Sequence, residues 1–190
     1  LFYYIIIMEK INFEKDTWKI INTYFNDNKY FLTNHQIESF NDFISSKIPL
    51  TIKQFNPLRI YKEKDKSGFY KYEIHLYFGG YKGNEINISK PVIYSKDNKI
   101  QTKQMYPNEA RLKNLTYSSS LNCNIDIDFI IRNSSGDEQK ISKKLENINI
   151  GKIPIMLHSN YCILNNQPKK MLEEMGESPF EQGGYFIIKG

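Results

Sequence analysis

Between residues 121 and 132 the sequence alternates. Leu121, Cys123, Ile125, Ile127, Phe129 and Ile131 hold one set of alternate positions, and Asn122, Asn124, Asp126, Asp128 and Arg132 hold the other. Successive side chains of a β-strand point to opposite faces, so a period of two writes one apolar face and one polar face. A second stretch does the same. Tyr70, Tyr72, Ile74, Leu76 and Phe78 alternate with Lys71, Glu73 and His75. Two half-buried strands are therefore expected. The polar face of such a strand is solvated by default, so Asp126 and Asp128 are expected to face water rather than share a metal. The cluster Gly79, Gly80, Gly83 and Asn84 lacks the G-x-x-x-x-G-K-[ST] spacing of a phosphate-cradling loop. It reads as a hairpin turn leading into a strand over residues 85–89.

Helical periodicity precedes and punctuates these strands. Trp18, Ile21, Tyr24 and Phe25 follow a possible cap at Asp16 or Thr17, which predicts a helix over residues 16–27 with that stripe in the core. Thr33 and Gln36 match a T-x-x-Q capping box for a second helix over 34–47. Ile37, Phe40, Phe43 and Ile44 form its apolar stripe, and Pro49 is expected to stop it. Short helices are expected at 106–113, with Pro107 in the first turn, and at 169–175, ended by Gly176. Residues 133–140 read as a polar loop, and 183–190 as a turn running into an apolar strand. Helices first, then strands mixed with short helices, argue an α+β fold.

Composition narrows the class. Aromatics at 14% and hydrophobics at 40% are too many for a disordered chain. Ile, Lys and Asn supply 71 of the 190 residues, while Arg occurs three times. Their A/T-rich codons point to an A/T-rich genome rather than to a structural class. The net charge of +5 is spread evenly, which permits contact with phosphate backbones without a basic arm. The two cysteines, Cys123 and Cys162, cannot form a disulfide scaffold or a four-cysteine zinc site. The apolar run at residues 2–7 is too short to cross a bilayer. Translation is expected to begin at Met8, with residues 1–7 an upstream extension.

No constellation announces catalysis. His35, His75 and His158 are scattered without ligand spacing. Cys123 lies on the apolar face of its strand and is expected to be a core thiol. Cys162 has no recognisable base, and Ser118, Ser119 and Ser120 lack the context of a serine nucleophile.

Three phrases are more informative. Tyr106-Pro107-Asn108-Glu109-Ala110-Arg111-Leu112-Lys113-Asn114-Leu115-Thr116-Tyr117-Ser118-Ser119 resembles the Y-P-x-E-A-R-L-R-N-L-T-Y-S-S stretch of the second-largest (beta-type) subunit of multisubunit DNA-directed RNA polymerases. Ile150-Gly151-Lys152-Ile153-Pro154-Ile155-Met156-Leu157-His158-Ser159-Asn160-Tyr161-Cys162 is similar to that family's I-G-x-x-P-I-M-L-R-S-x-x-C. Residues 178–190, from Ser178-Pro179-Phe180 to Ile188-Lys189-Gly190, resemble C-P-x-D-x-G-G-Y-F-I-I-N-G. The order agrees, and the first two helices also look like the family's. His158 and Lys113 stand where the pattern has Arg, and Lys189 where it has Asn.

The resemblance implies that residues 8–190 form the N-terminal part of the protrusion domain, which walls one side of the DNA cleft and is completed by later chain. It implies no catalytic residue and no metal in this chain. Magnesium for nucleotidyl transfer, and zinc, would belong to other parts of the assembled enzyme. Expected partners are the largest polymerase subunit, the other subunits, DNA and the RNA–DNA hybrid, with no membrane. Arg111, Lys113 and Lys152 are the candidates for phosphate contact, each open to the alternative of a surface lysine or an internal ion pair. The lysine and asparagine bias implies a large DNA virus or an A/T-rich protist. The expected location is intracellular: a viral factory, a virion or the host nucleus for a virus, and the nucleus otherwise. The other reading is a stand-alone basic nucleic-acid-binding module. As half a protrusion, the chain is expected to leave an unpaired strand at 184–189.

Overall fold

A computed structural model describes residues 13–64, 68, 70–95, 101–133 and 137–190, with the side chains of residues 13, 14, 95 and 101 left out. The proposed start at Met8 and the extension at 1–7 lie outside the described residues. The elements run α1 (Phe13–Asp27), α2 (Asn34–Asp42), a π-helical turn (Phe43–Lys47), α3 (Ile48–Phe55), β1 (Leu58–Lys64), β2 (Tyr70–Phe78), β3 (Ile86–Ile88), β4 (Val92–Ser95), β5 (Gln101–Gln104), α4 (Pro107–Leu112), β6 (Ser118–Arg132), β7 (Glu138–Pro154) and α5 (Lys169–Glu174). This is the expected α+β arrangement.

The long alternating strand, β6, organises the sheet. β7 runs antiparallel along it from Ser118↔Pro154 to Arg132↔Glu138. β2 pairs with its far part, from Phe78↔Ile125 to Tyr72↔Ile131, and β3 with Leu121 to Cys123. β1 lies outside β2, and β4 and β5 form a separate two-stranded ribbon. The glycine cluster is therefore not a β2–β3 hairpin. Both strands are antiparallel to β6, and the turn at 79–83 loops out between them. Gly79 has φ +71, and a Cβ there would lie 2.9 Å from the Gly83 carbonyl carbon, so the loop closes only around glycine.

The core sits at one end of the sheet. Ile37, Phe40 and Ile44 from the helical segment meet Ala110, Tyr117, Ile155, Leu157, Leu164, Leu172 and Ile187. Burying each large apolar side chain fully contributes about 1.5–3 kcal/mol. Pro49 does not stop the second helix. Ile48 N–H reaches the Phe43 carbonyl five residues back, and this π turn takes the chain into α3 with Pro49 in its first turn. A proline has no N–H to donate, and the first turn of a helix does not require one. The capping box does not form either. The Thr33 hydroxyl donates to the Gln182 carbonyl at 2.7 Å, tying the helix start to the C-terminal segment.

Three expectations about burial fail in instructive ways. Most of the stripe of α1 is in water: Trp18 is 61% exposed and Tyr24 58%, while Ile21 is partly covered. Asp126 and Asp128, expected on a solvated face, are buried. The Asp128 carboxylate accepts from Tyr81 Oη at 2.7 Å and Ser142 Oγ at 2.6 Å, and Lys140 Nζ lies 3.0 Å away. Burial alone would raise its pKa, but these bonds outweigh it and hold the carboxyl below its usual range. Asp126 accepts from the Tyr81 backbone N–H at 3.0 Å. Finally, residues 184–189 are not an unpaired strand. Tyr117 N–H donates to the Ile187 carbonyl, Leu157 N–H to the Tyr185 carbonyl, and Gly184 N–H to the Leu157 carbonyl.

Candidate nucleic-acid interface

α4 presents Arg111 and Lys113 because Pro107 starts the helix and Glu109 lies one turn before Lys113. Arg111 Nη1 donates to both carboxylate oxygens of Glu177, at 2.8 and 2.9 Å, and Nη2 donates to Tyr185 Oη at 2.9 Å. Glu177 is buried. It is delivered by Gly176, whose φ of +78 turns the chain after α5 and whose missing Cβ leaves room for the Asn108 side chain. Partial burial alone would lower the Arg111 pKa, but the Glu177 carboxylate outweighs it and the guanidinium stays charged. Arg111 thus spends its charge inside the protein, clamping α4, α5 and the C-terminal segment.

Lys113 Nζ lies 2.6 Å from Glu109 Oε1, and Lys103 of β5 reaches the same oxygen at 3.6 Å. The hydrogen bond from Lys113 is the main cause holding the Glu109 carboxyl below its usual range. Lys152 is different. It is exposed on β7, opposite Ser120 of β6, and no ion pair involves it among the described residues. The three candidates are therefore not one cluster, and only Lys152 keeps a free ammonium.

Beside Lys152 lies a grouping that the sequence did not announce. Thr116, Ser118 and Ser120 line one depression together with Lys152, Tyr94, Met105, Leu115 and Val92. The signal was present as hydroxyl residues at alternate positions, but only strand geometry puts them in one row. Ser119 points away and meets Ser89.

His158, where the resembled pattern has Arg, carries no accessible charge. It is 2% exposed. Its Nδ1 is hydrogen-bonded to Tyr30 Oη at 2.9 Å, and Nε2 is buried without a partner. Burial first, and the nearby Lys29 second, push its pKa down to about 4. Cys162 and Cys123 are both buried, and burial pushes both thiols up, which suits core residues rather than nucleophiles. Among the described residues no three His, Cys, Asp or Glu side chains are placed to hold a metal. Nor is any helix there long and apolar enough to cross a membrane.

The described residues form an antiparallel sheet organised by one long strand, with basic groups at its margin. The sequence model described as RNA polymerase beta subunit matches residues 31–190, and the chain belongs to that family. It is 34% identical over 182 residues to DNA-directed RNA polymerase II subunit 2 of Arabidopsis thaliana, covering 93% of this chain and 15% of that protein. To DNA-directed RNA polymerase subunit Rpo2N of Methanothermobacter thermautotrophicus it is 33% identical over 177 residues, covering 93% of this chain and 29% of that one. DNA-directed RNA polymerase II subunit RPB2 of Encephalitozoon cuniculi is 32% identical over 184 residues, 96% of this chain and 15% of its own length. The chain thus spans between about a seventh and a third of these three relatives, and the match falls in their N-terminal regions. These comparisons lend no support to a stand-alone binding module.

Proposed function

We propose that residues 8–190 are the N-terminal part of the protrusion of a second-largest RNA polymerase subunit, acting in DNA-templated RNA synthesis only within the assembled enzyme. The observation that carries this reading is the similarity along 93% of the chain to a polymerase subunit. Two open surfaces support it. Leu58, Ile60 and Ile141, on the apolar face of the far sheet, are each close to half exposed, and Trp18 and Tyr24 of α1 are more so. Surfaces of this kind favour burial against further protein. The partners are the largest subunit, the remaining subunits, DNA and the RNA–DNA hybrid, which the positive charge meets through phosphates rather than base edges. At Asp128 a magnesium ion does not fit, because Tyr81, Ser142 and Lys140 already engage the carboxylate. The location is the nucleus or, for a large DNA virus, the viral factory, virion or host nucleus. Affinity purification of the tagged chain from its source cells, read by mass spectrometry, tests this. Recovery of the largest polymerase subunit is expected. Elution as a free protein without any polymerase subunit refutes the proposal.

A further inference from the structure

The depression beside Lys152 has a donor excess that no internal partner resolves. Thr116, Ser118 and Ser120 stand at alternate positions and line the same side of a cavity of about 250 Å³. Ser120 is paired across the sheet with Lys152, so its hydroxyl and the lysine share a face. No hydrogen bond or ion pair within the described residues engages the side chains of Ser118, Ser120 or Lys152. The Thr116 hydroxyl accepts from the Lys189 backbone N–H at 3.2 Å, which leaves its own hydrogen to donate. Among the described residues no carboxylate lines the cavity. Three hydroxyls and one ammonium therefore line a space in which no described residue supplies a competing anion. The remaining lining is apolar or aromatic, with Met105 on the floor and the half-exposed Tyr94 of β4 at the side.

We infer that this cavity is a phosphate-binding site, in which Lys152 Nζ and the hydroxyls of Ser118 and Ser120 donate to phosphate oxygens while the attached sugar and base lie against Tyr94 and Met105. An ammonium with neutral hydroxyls suits an oxyanion, which offers several acceptors and full negative charge. The volume matters too. One water needs about 10–15 Å³ on the same measure, so the depression has room for a phosphate group rather than one bridging solvent molecule. The Tyr94 ring adds a sequence-tolerant stacking surface of the kind that receives an unpaired base. The phosphate comes either from a nucleic-acid strand, which rests on the polymerase reading above, or from a free nucleotide.

The test uses the 190-residue chain with three probes: a fluorescent ten-nucleotide oligo(dT), ATP and inorganic phosphate. Binding is measured at several salt concentrations for wild type, Lys152→Ala, Lys152→Arg, the double variant Ser118→Ala/Ser120→Ala, and Lys170→Ala on α5 as an exposed-lysine control. Lys152→Ala is expected to weaken oligo(dT) binding about tenfold, with Lys152→Arg close to wild type. It is also expected to reduce the slope of log affinity against log salt by about 0.7, the effect of one lost phosphate contact on a single strand. The serine double variant is expected to weaken binding severalfold at unchanged slope, because it removes donors without removing charge. Displacement of oligo(dT) by ATP or phosphate from wild type assigns the site to a free phosphate group, and no displacement assigns it to a strand. Equal losses in Lys152→Ala and Lys170→Ala, wild-type binding by the serine double variant, or no binding of any probe each overturn the site. Co-purification with polymerase is a separate readout, so the site can fail while the polymerase reading stands.

Discussion

His158 makes the stability of this chain depend on pH, starting above the range in which carboxylates begin to take up protons. The imidazole is 2% exposed, hydrogen-bonded through Nδ1 to Tyr30, and its Nε2 has no partner. The cost of burying a charge there lowers its pKa from 6.5 to about 4, with Lys29 adding to the effect and Glu181 opposing it. The unfolded chain therefore binds the proton more tightly than the folded one. Stability is complete above about pH 6.5 and falls as the pH drops toward 4. At ~1.4 kcal/mol per pH unit the whole window is worth roughly 3 kcal/mol, of which about 2 lies between pH 7 and 5. Urea unfolding at pH 7, 6 and 5 measures it. His158→Asn supplies the control, since Asn stays neutral and tolerates the left-handed backbone at this position, where φ is +64. The variant is expected to be weaker at pH 7, having lost the ring packed on Tyr30, but nearly flat from pH 7 to 5. Equal losses in wild type and variant over that range would refute the assignment.

Other expectations follow from the same contacts. Arg111→Met leaves the buried Glu177 carboxylate without its cation and is expected to cost about 2–3 kcal/mol in chemical denaturation, with much of that recovered in Arg111→Met/Glu177→Leu. Leu164→Ala, at a fully buried core position, is expected to cost about 2–5 kcal/mol, which a thermal melt detects as a clear drop in Tm. Removing residues 183–190 takes Ile187 from the core and strips partners from the Tyr117 and Leu157 amides. That truncation is expected to lose cooperative unfolding by circular dichroism, whereas an undiminished transition would show the segment to be dispensable.

Much of the architecture was legible along the chain. The alternation at 121–132 located β6, and the alternation at 70–78 located β2, because strand faces follow directly from sequence order. Pro107 and Gly176 marked helix boundaries for backbone reasons that are equally local. The T-x-x-Q pattern misled because the Thr33 hydroxyl turns to donate to the Gln182 carbonyl, 149 residues away in sequence, and accepts from no amide of the helix start. The same reason explains the site. Arg111 and Lys113 were open to phosphate contact or to an internal ion pair, and Glu177 and Glu109 claim them.

The division between the two kinds of knowledge is physical. Period, propensity and motif depend on near neighbours in the chain, so strands, helices, the α+β class and the polymerase resemblance could be read before any coordinate. Burial depends on what lies opposite. Trp18 and Asp128 sit on faces that periodicity identifies, but periodicity does not say whether the face is covered. Folding left the Trp18 face open and closed the Asp128 face with Tyr81, Ser142 and Lys140. It likewise spent Arg111 on Glu177 and left Lys152 free beside the row of hydroxyls, a distinction no one-dimensional pattern contains.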